Sequence, residues 1–182
     1  MRRALLRTAA AAVLGMIIVL NFSTSTVNAY VRNNWRWCDN YADITPNPAT
    51  YTPYRLYEYP VADAAAAWTR VGSGQLGGKV NFDFTYWYSW QNHAARIYLE
   101  SDYLGINGTL ARASWWGFPF CFTQGTIMYN LSYGFAPGNT TCAPPTSYYE
   151  TYSVSLHELG HLVGLDHENA TYAIMNSTIP AC

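Results

Sequence analysis

The stretch His157-Glu158-Leu159-Gly160-His161-Leu162-Val163-Gly164-Leu165-Asp166-His167 carries three of the chain's four histidines. On an α-helix, residues four apart differ by about 40° of rotation and about 6 Å of rise, so the imidazoles of His157 and His161 project from one face. They can share one metal ion. Glu158 follows the first histidine by one residue and therefore stands beside such an ion, within reach of a water bound there. Gly164 can take the left-handed conformation that ends a helix, turning the chain back to deliver His167 as a third ligand. Three neutral nitrogens with a fourth tetrahedral position open describe a catalytic zinc site, with Glu158 as its general base. The alternative is a buried helix end whose histidines merely satisfy backbone groups. Five positions specified as His, Glu or Gly at fixed spacing coincide by chance only on the order of 10⁻⁸ per window.

This string resembles the extended zinc signature of the metzincins, and its Gly164-Leu165-Asp166-His167 ending resembles the matrixins in particular. Past His167 comes Ala173-Ile174-Met175-Asn176, which looks like the Met-turn that runs beneath the zinc in that clan. The resemblance implies an α+β fold: a metzincin-like catalytic domain with a twisted mixed β-sheet, an active-site helix and a backing helix. It also implies a zinc-dependent endopeptidase that hydrolyses peptide bonds through a zinc-activated water. One Zn2+ would be held by His157, His161 and His167, with Glu158 as base and Met175 beneath. An extended peptide or protein is the implied substrate. Thr109-Leu110-Ala111-Arg112-Ala113 looks like the matrixin edge strand that lines the cleft, making Leu110 and Ala111 candidate substrate-binding residues. Calcium would be a further ion, but no motif supports it.

Three departures qualify the resemblance. Arg112 stands where the family carries a histidine for a second, structural zinc, and His93 is the single histidine outside the motif, so that second site is not expected. The segment Asn176-Ser177-Thr178-Ile179-Pro180 lacks the family's usual specificity-pocket wall. It also has no tyrosine two residues past Met175, which argues against the astacin and serralysin branches. The sequence runs only seven residues past Met175, too few for the family's C-terminal helix, so a Cys182 disulfide is expected to hold the tail.

The first residues read as an export signal. Arg2, Arg3 and Arg7 form the positive region, residues 9–20 the apolar stretch, and Val27-Asn28-Ala29 a small-residue cleavage site. Residues 1–29 are thus read as a signal peptide and residues 30–182 as one catalytic domain, opening with an irregular arm at 30–53. The expected product is secreted, extracellular and monomeric, without a stable membrane anchor after cleavage. Without the three signal arginines, seven basic residues face eleven acidic ones. That balance offers no footprint for nucleic acid.

Four cysteines, Cys38, Cys121, Cys142 and Cys182, in an exported chain suggest two disulfides with three connectivities open. Cys121 with Cys142 would staple one excursion, and Cys38 with Cys182 would tie the ends. The other use of Cys38 is as a zinc-binding latch of the matrixin type, but Trp37-Cys38-Asp39-Asn40 does not look like that segment. The sequons at Asn107, Asn130 and Asn139 matter only in a glycosylating host.

Along the chain, residues 54–59 alternate as a first strand. Alanine-rich residues 60–72 form a helix with Trp68 and Val71 on its core side and Gly72 at its end. Residues 79–87 and 96–100 read as strands, residues 105–114 as a glycine-rich turn entering a short strand, and residues 125–133 as the last strand. The metal helix is expected over about 148–163, because Pro144-Pro145 precedes it and Ser147-Tyr148-Tyr149-Glu150 has capping-box form. Val154, Leu162 and Val163 should face the core, and Tyr148, Tyr149 and Tyr152 should pack the helix.

Two other functions compete. A secreted binding module could use the chain's seven tryptophans and sixteen tyrosines to grip glycan or protein around a structural zinc. An open fourth zinc position and the adjacent carboxylate argue against it, since structural sites are closed. The other is a hydrolase of cell-wall peptides.

Overall fold

A computed structural model describes residues 31–32, 37–47, 58–72, 81–84, 95–106, 108–118, 121–137, 148–168 and 173–181. The elements in chain order are β1 (Val31–Arg32), β2 (Tyr41–Pro46), α1 (Glu58–Gly72), β3 (Asn81–Phe84), β4 (Arg96–Asp102) and β5 (Ala111–Phe118). They continue with β6 (Cys121–Asn130), β7 (Gly134–Ala136), β8 (Tyr148–Glu150), α2 (Thr151–Leu162) and β9 (Leu165–Asp166). The fold is α+β, with a mixed sheet and two helices among the described residues.

The five-stranded sheet has the order β3-β2-β4-β6-β5. β2 runs parallel to both β3 and β4, and β4 runs parallel to β6. A parallel neighbour cannot be reached by a tight turn, and α1 is the crossover between β2 and β3. β5 returns antiparallel to β6 and, among the described residues, has no strand paired on its outer edge.

α1 forms because alanine has the best helix propensity, and Pro60 sits in the first turn where its missing N–H is harmless. Its buried residues Val61, Ala64, Ala65 and Trp68 follow the i, i+3, i+4, i+7 spacing of one helix face. That face packs on α2. Val71 departs from expectation: it lies in the last turn and is 45% exposed, so the packed face ends at Trp68. Across the sheet Ile44, Ile97, Leu99 and Ile127 are fully buried, and Val154, Leu159 and Leu162 of α2 complete the core. Val163 is half-buried against it.

Residues 30–53 do not form an irregular arm throughout. β1 pairs antiparallel with β9, and β2 lies inside the sheet. Ala42, Asp43 and Ile44 are all buried, so the strand lacks the apolar-polar alternation that would mark it in sequence. Residues 54–59 are not a strand as read, because Glu58 and Tyr59 begin α1, while 54–57 lie outside the described residues. Of the predicted strand 79–87, residues 81–84 are described and form β3. β6 starts four residues before the predicted Gly125 and ends at Asn130.

The cysteine pairing differs from the expected pairs. Cys38 is disulfide-bonded to Cys121 across 83 residues of chain, which excludes the Cys121–Cys142 and Cys38–Cys182 pairs and a zinc-binding role for Cys38. Cys142 and Cys182 lie outside the described residues, as does His93. The bond joins the arm to the start of β6, where Trp37 bridges Phe122 and the Cys38 N–H donates to the Phe122 carbonyl at 2.9 Å.

Asn130 is fully buried and cannot serve as a glycosylation acceptor. Its amide donates to the carbonyls of Gly105 and Thr109, both at 2.9 Å, and its oxygen accepts from the N–H groups of Leu104 and Ser132. One side chain thereby fixes the glycine-rich turn that feeds β5, in which Gly105 and Gly108 hold positive φ.

Candidate metal centre

α2 begins at Thr151, three residues later than the sequence suggested, because Tyr148–Glu150 pairs with β7 as a strand. The capping box does not form: Glu150 is the N-cap residue without a side-chain cap bond, and it accepts a hydrogen bond from the Ser153 hydroxyl instead. Thr151 anchors this end by donating to the Ala136 carbonyl at 2.9 Å. At the other end Gly164 takes φ +87°. β9 then leads directly to His167.

His157, His161 and His167 converge, with candidate ligand atoms all within 4.8 Å of one another. His157 Nδ1–H donates to the Ile174 carbonyl and His161 Nδ1–H to the Leu165 carbonyl, each at 2.9 Å. Those bonds commit the Nδ1 protons and leave both Nε2 lone pairs for a metal, the usual orienting arrangement behind a histidine ligand. His157 Nε2 and His167 Nε2 are 3.3 Å apart. Two nitrogens each about 2.0–2.1 Å from a tetrahedral ion are separated by about 3.3–3.4 Å. The His157–His167 pair has that separation, and the His161 donor lies within 4.8 Å of both, so the three neutral nitrogens suit one zinc ion once His161 closes in.

Burial reinforces this chemistry. His157 is pushed down to about 4, chiefly by desolvation, against the opposing bond to Ile174 and with a further push from the other two histidines. Desolvation lowers His161 as well. Both imidazoles are thus held neutral, the form that coordinates metal.

Glu158 is 6% exposed. Burial lifts its carboxyl to about 7, opposed by a hydrogen bond from the Ala113 backbone N–H on the edge strand. The acid thus sits between the metal helix and β5, in a cleft of about 400 Å³. Leu110 and Ala111 line this cleft together with the three histidines, and so do Ser177, Thr178 and Ile179 from beyond the Met175 turn. That segment therefore contributes a wall despite its unfamiliar sequence. Tyr149 also lines the cleft, stacked edge-on against Tyr133 at 5.6 Å. Tyr152 packs against the core, and Tyr148 is 46% exposed, so only part of the tyrosine cluster packs the helix.

Met175 is 2% exposed and lies against Gly160. A Cβ on Gly160 would overlap the Met175 sulfur and crowd Trp68, so glycine is what lets the turn approach the helix this closely. The Glu168 N–H donates to the Met175 carbonyl at 2.8 Å, joining the His167 strap to the same turn.

Three supports of the site have no local sequence signature. Trp37 Nε1 donates to the Leu162 carbonyl at 2.6 Å and Trp68 Nε1 to the Leu156 carbonyl at 2.8 Å. Ser155 donates to the Thr151 carbonyl at 2.6 Å, which leaves the Tyr129 hydroxyl to donate to Ser155 at 2.8 Å. Burial raises the Tyr129 phenol well above its ordinary value and keeps it protonated for that bond. A buried tryptophan or tyrosine usually finds such a partner, but no local pattern says which.

The family model for matrixin peptidases matches residues 59–182. The chain is also similar to Metalloendoproteinase 1 of Glycine max, at 40% identity over 65 residues, which is 35% of this chain and 21% of that protein. The shared stretch thus spans about a fifth of the relative's length.

Proposed function

The chain belongs to the matrixin family, and on that premise we propose that it is a secreted zinc-dependent endopeptidase with Glu158 as its general base. The observation that carries the reading is the shared placement of three metal-facing imidazoles and one buried carboxyl in a single cleft beside a free sheet edge. Zinc bound there would supply Lewis-acid chemistry, polarising the scissile carbonyl and making water a stronger acid.

The protein's own groups do the rest. Glu158 takes a proton from the attacking water onto its carboxylate and returns it to the leaving amine. Its elevated position near 7 without metal falls towards the ordinary carboxylate range once a dication sits beside it, so the base is ionised when needed. Leu110 and Ala111 border an extended substrate laid along the outer edge of β5, where the main-chain groups of Ala111 provide affinity irrespective of sequence. Met175 supports the floor of the site. Residues 1–29 are proposed as the export signal and residues 30–182 as a monomeric catalytic domain. No helix among the described residues is long and apolar enough to cross a membrane.

The test is cleavage of casein and a quenched peptide library by purified protein, with and without chelator, beside Glu158→Ala. Expected are one zinc per chain, chelator-sensitive cleavage, and a variant that retains zinc but not activity. A zinc-loaded wild type that cleaves nothing overturns the proposal.

A further inference from the structure

Arg112 is exposed on the strand that borders the cleft. Its neighbours Ala111 and Ala113 point the other way, against the core, as alternation along a strand requires. The Ala113 N–H faces Glu158, so with the same period the edge-facing backbone groups belong to Ala111 and Ala113. Those of Arg112 turn towards β6, where it sits opposite Met128.

A peptide added along the free edge of β5 would place one residue directly across from Arg112, with its side chain on the same outward face. Directly opposed residues bring their Cβ atoms to about 4.5–5.5 Å, close enough for opposite charges to attract and like charges to repel. No ion pair to another described residue engages the guanidinium. The β4 acids on the same face, Glu100 and Asp102, are two strands away; Glu100 lies across Met128 and accepts a hydrogen bond from Asn47 at 3.1 Å, and Asp102 accepts one from the Tyr103 N–H at 2.7 Å. Among the described cleft-lining residues the other ionisable groups are Glu158, the three histidines and the Tyr149 phenol, and none of them lies on β5.

We propose that Arg112 is a specificity-determining residue that selects substrates with Asp or Glu at the position facing it, within two residues of the cleaved bond. The proposal rests on the peptidase reading. The scaffold supplies binding through main-chain groups, and Arg112 adds a charge preference on the outward face.

The test is a quenched peptide set carrying Glu, Gln or Lys in turn at each position flanking the cleaved bond. Wild type, Arg112→Gln and Arg112→Glu are compared at low and high salt. At one position wild type should prefer Glu over Lys in kcat/KM by about fivefold, the scale of an exposed ion pair. The preference should vanish in Arg112→Gln, invert in Arg112→Glu and shrink as salt screens it. Equal Glu-to-Lys ratios at every position in wild type, or the same ratio in wild type and Arg112→Glu, overturn the assignment and leave the peptidase reading intact. Resistance of every peptide to wild type overturns the peptidase reading itself.

Discussion

The metal helix and the N-terminal arm meet where Trp37 donates to the Leu162 carbonyl, but they are held in different ways. The candidate ligands come from an eleven-residue run whose geometry follows from helix rise and one left-handed glycine. The arm has no periodic pattern and is held by partners far along the chain: β9 through β1, Phe122 through Trp37, Cys121 through Cys38, and β3 and β4 through β2. Chemistry is concentrated in a local segment, whereas its mechanical support is spread through long-range contacts. Changes in the first region should remove metal or activity, and changes in the second should loosen the fold.

The largest contrast is expected from His161→Ala, which takes one of three ligands. Zinc stoichiometry should fall towards zero and the peptide-cleaving rate by more than about a thousandfold, since water activation depends on the metal, while the folded sheet persists by circular dichroism. A variant that keeps both zinc and rate would break the ligand assignment.

Next is the arm. Replacing Cys38 and Cys121 together by serine opens a cross-link spanning 83 residues, and should lower unfolding free energy by about 2–5 kcal/mol in denaturant titrations. Zinc should still bind under native conditions. Loss of zinc without loss of stability would mean that the arm acts on the site and not on the fold.

The third effect depends on pH. Without metal, burial holds Glu158 at about 7 instead of 4.5. A carboxyl whose folded value lies above its unfolded one gives its full stability below the unfolded value and loses it as pH rises through the folded value. Glu158→Gln, studied with chelator, should therefore match wild type near pH 4 and exceed it by up to about 3 kcal/mol near pH 8. The gap should open between 4.5 and 7. A gap independent of pH would remove burial as its cause.

The smallest effect is at the junction. Trp37→Phe keeps an aromatic ring beside Phe122 but deprives the Leu162 carbonyl of its indole donor. A loss of about 1–3 kcal/mol is expected for a buried acceptor left unpaired, read as a shift in denaturation midpoint. An unchanged midpoint would show that the arm does not brace the helix end.

Much of the site could be read in the sequence because its spacing is short. His157, Glu158, His161, Gly164 and His167 lie on one helix and the turn that follows, and Met175 is close behind. Leu110 and Ala111 are legible only through the family resemblance, and both line the same cleft. The fold was less legible. β2 is buried in the sheet and shows no alternation, and the start of α2 is displaced because Tyr148–Glu150 finds a strand partner in β7. The disulfide partner of Cys38 could not be counted out from four cysteines. Nor could the Asn130 amide be seen to organise the turn before β5, since its partners are 21 and 25 residues away.

By itself the sequence determined the donor set, its order and the carboxyl beside it, because α-helical geometry converts residue spacing directly into spatial proximity. Tertiary structure alone decided the depth of Glu158, the orientation of the imidazoles by backbone carbonyls, the seating of Met175 on Gly160, and the placing of Arg112 on the cleft's outer edge. Those depend on how separate elements pack, and packing free energy depends on contacts between residues that no local spacing brings together.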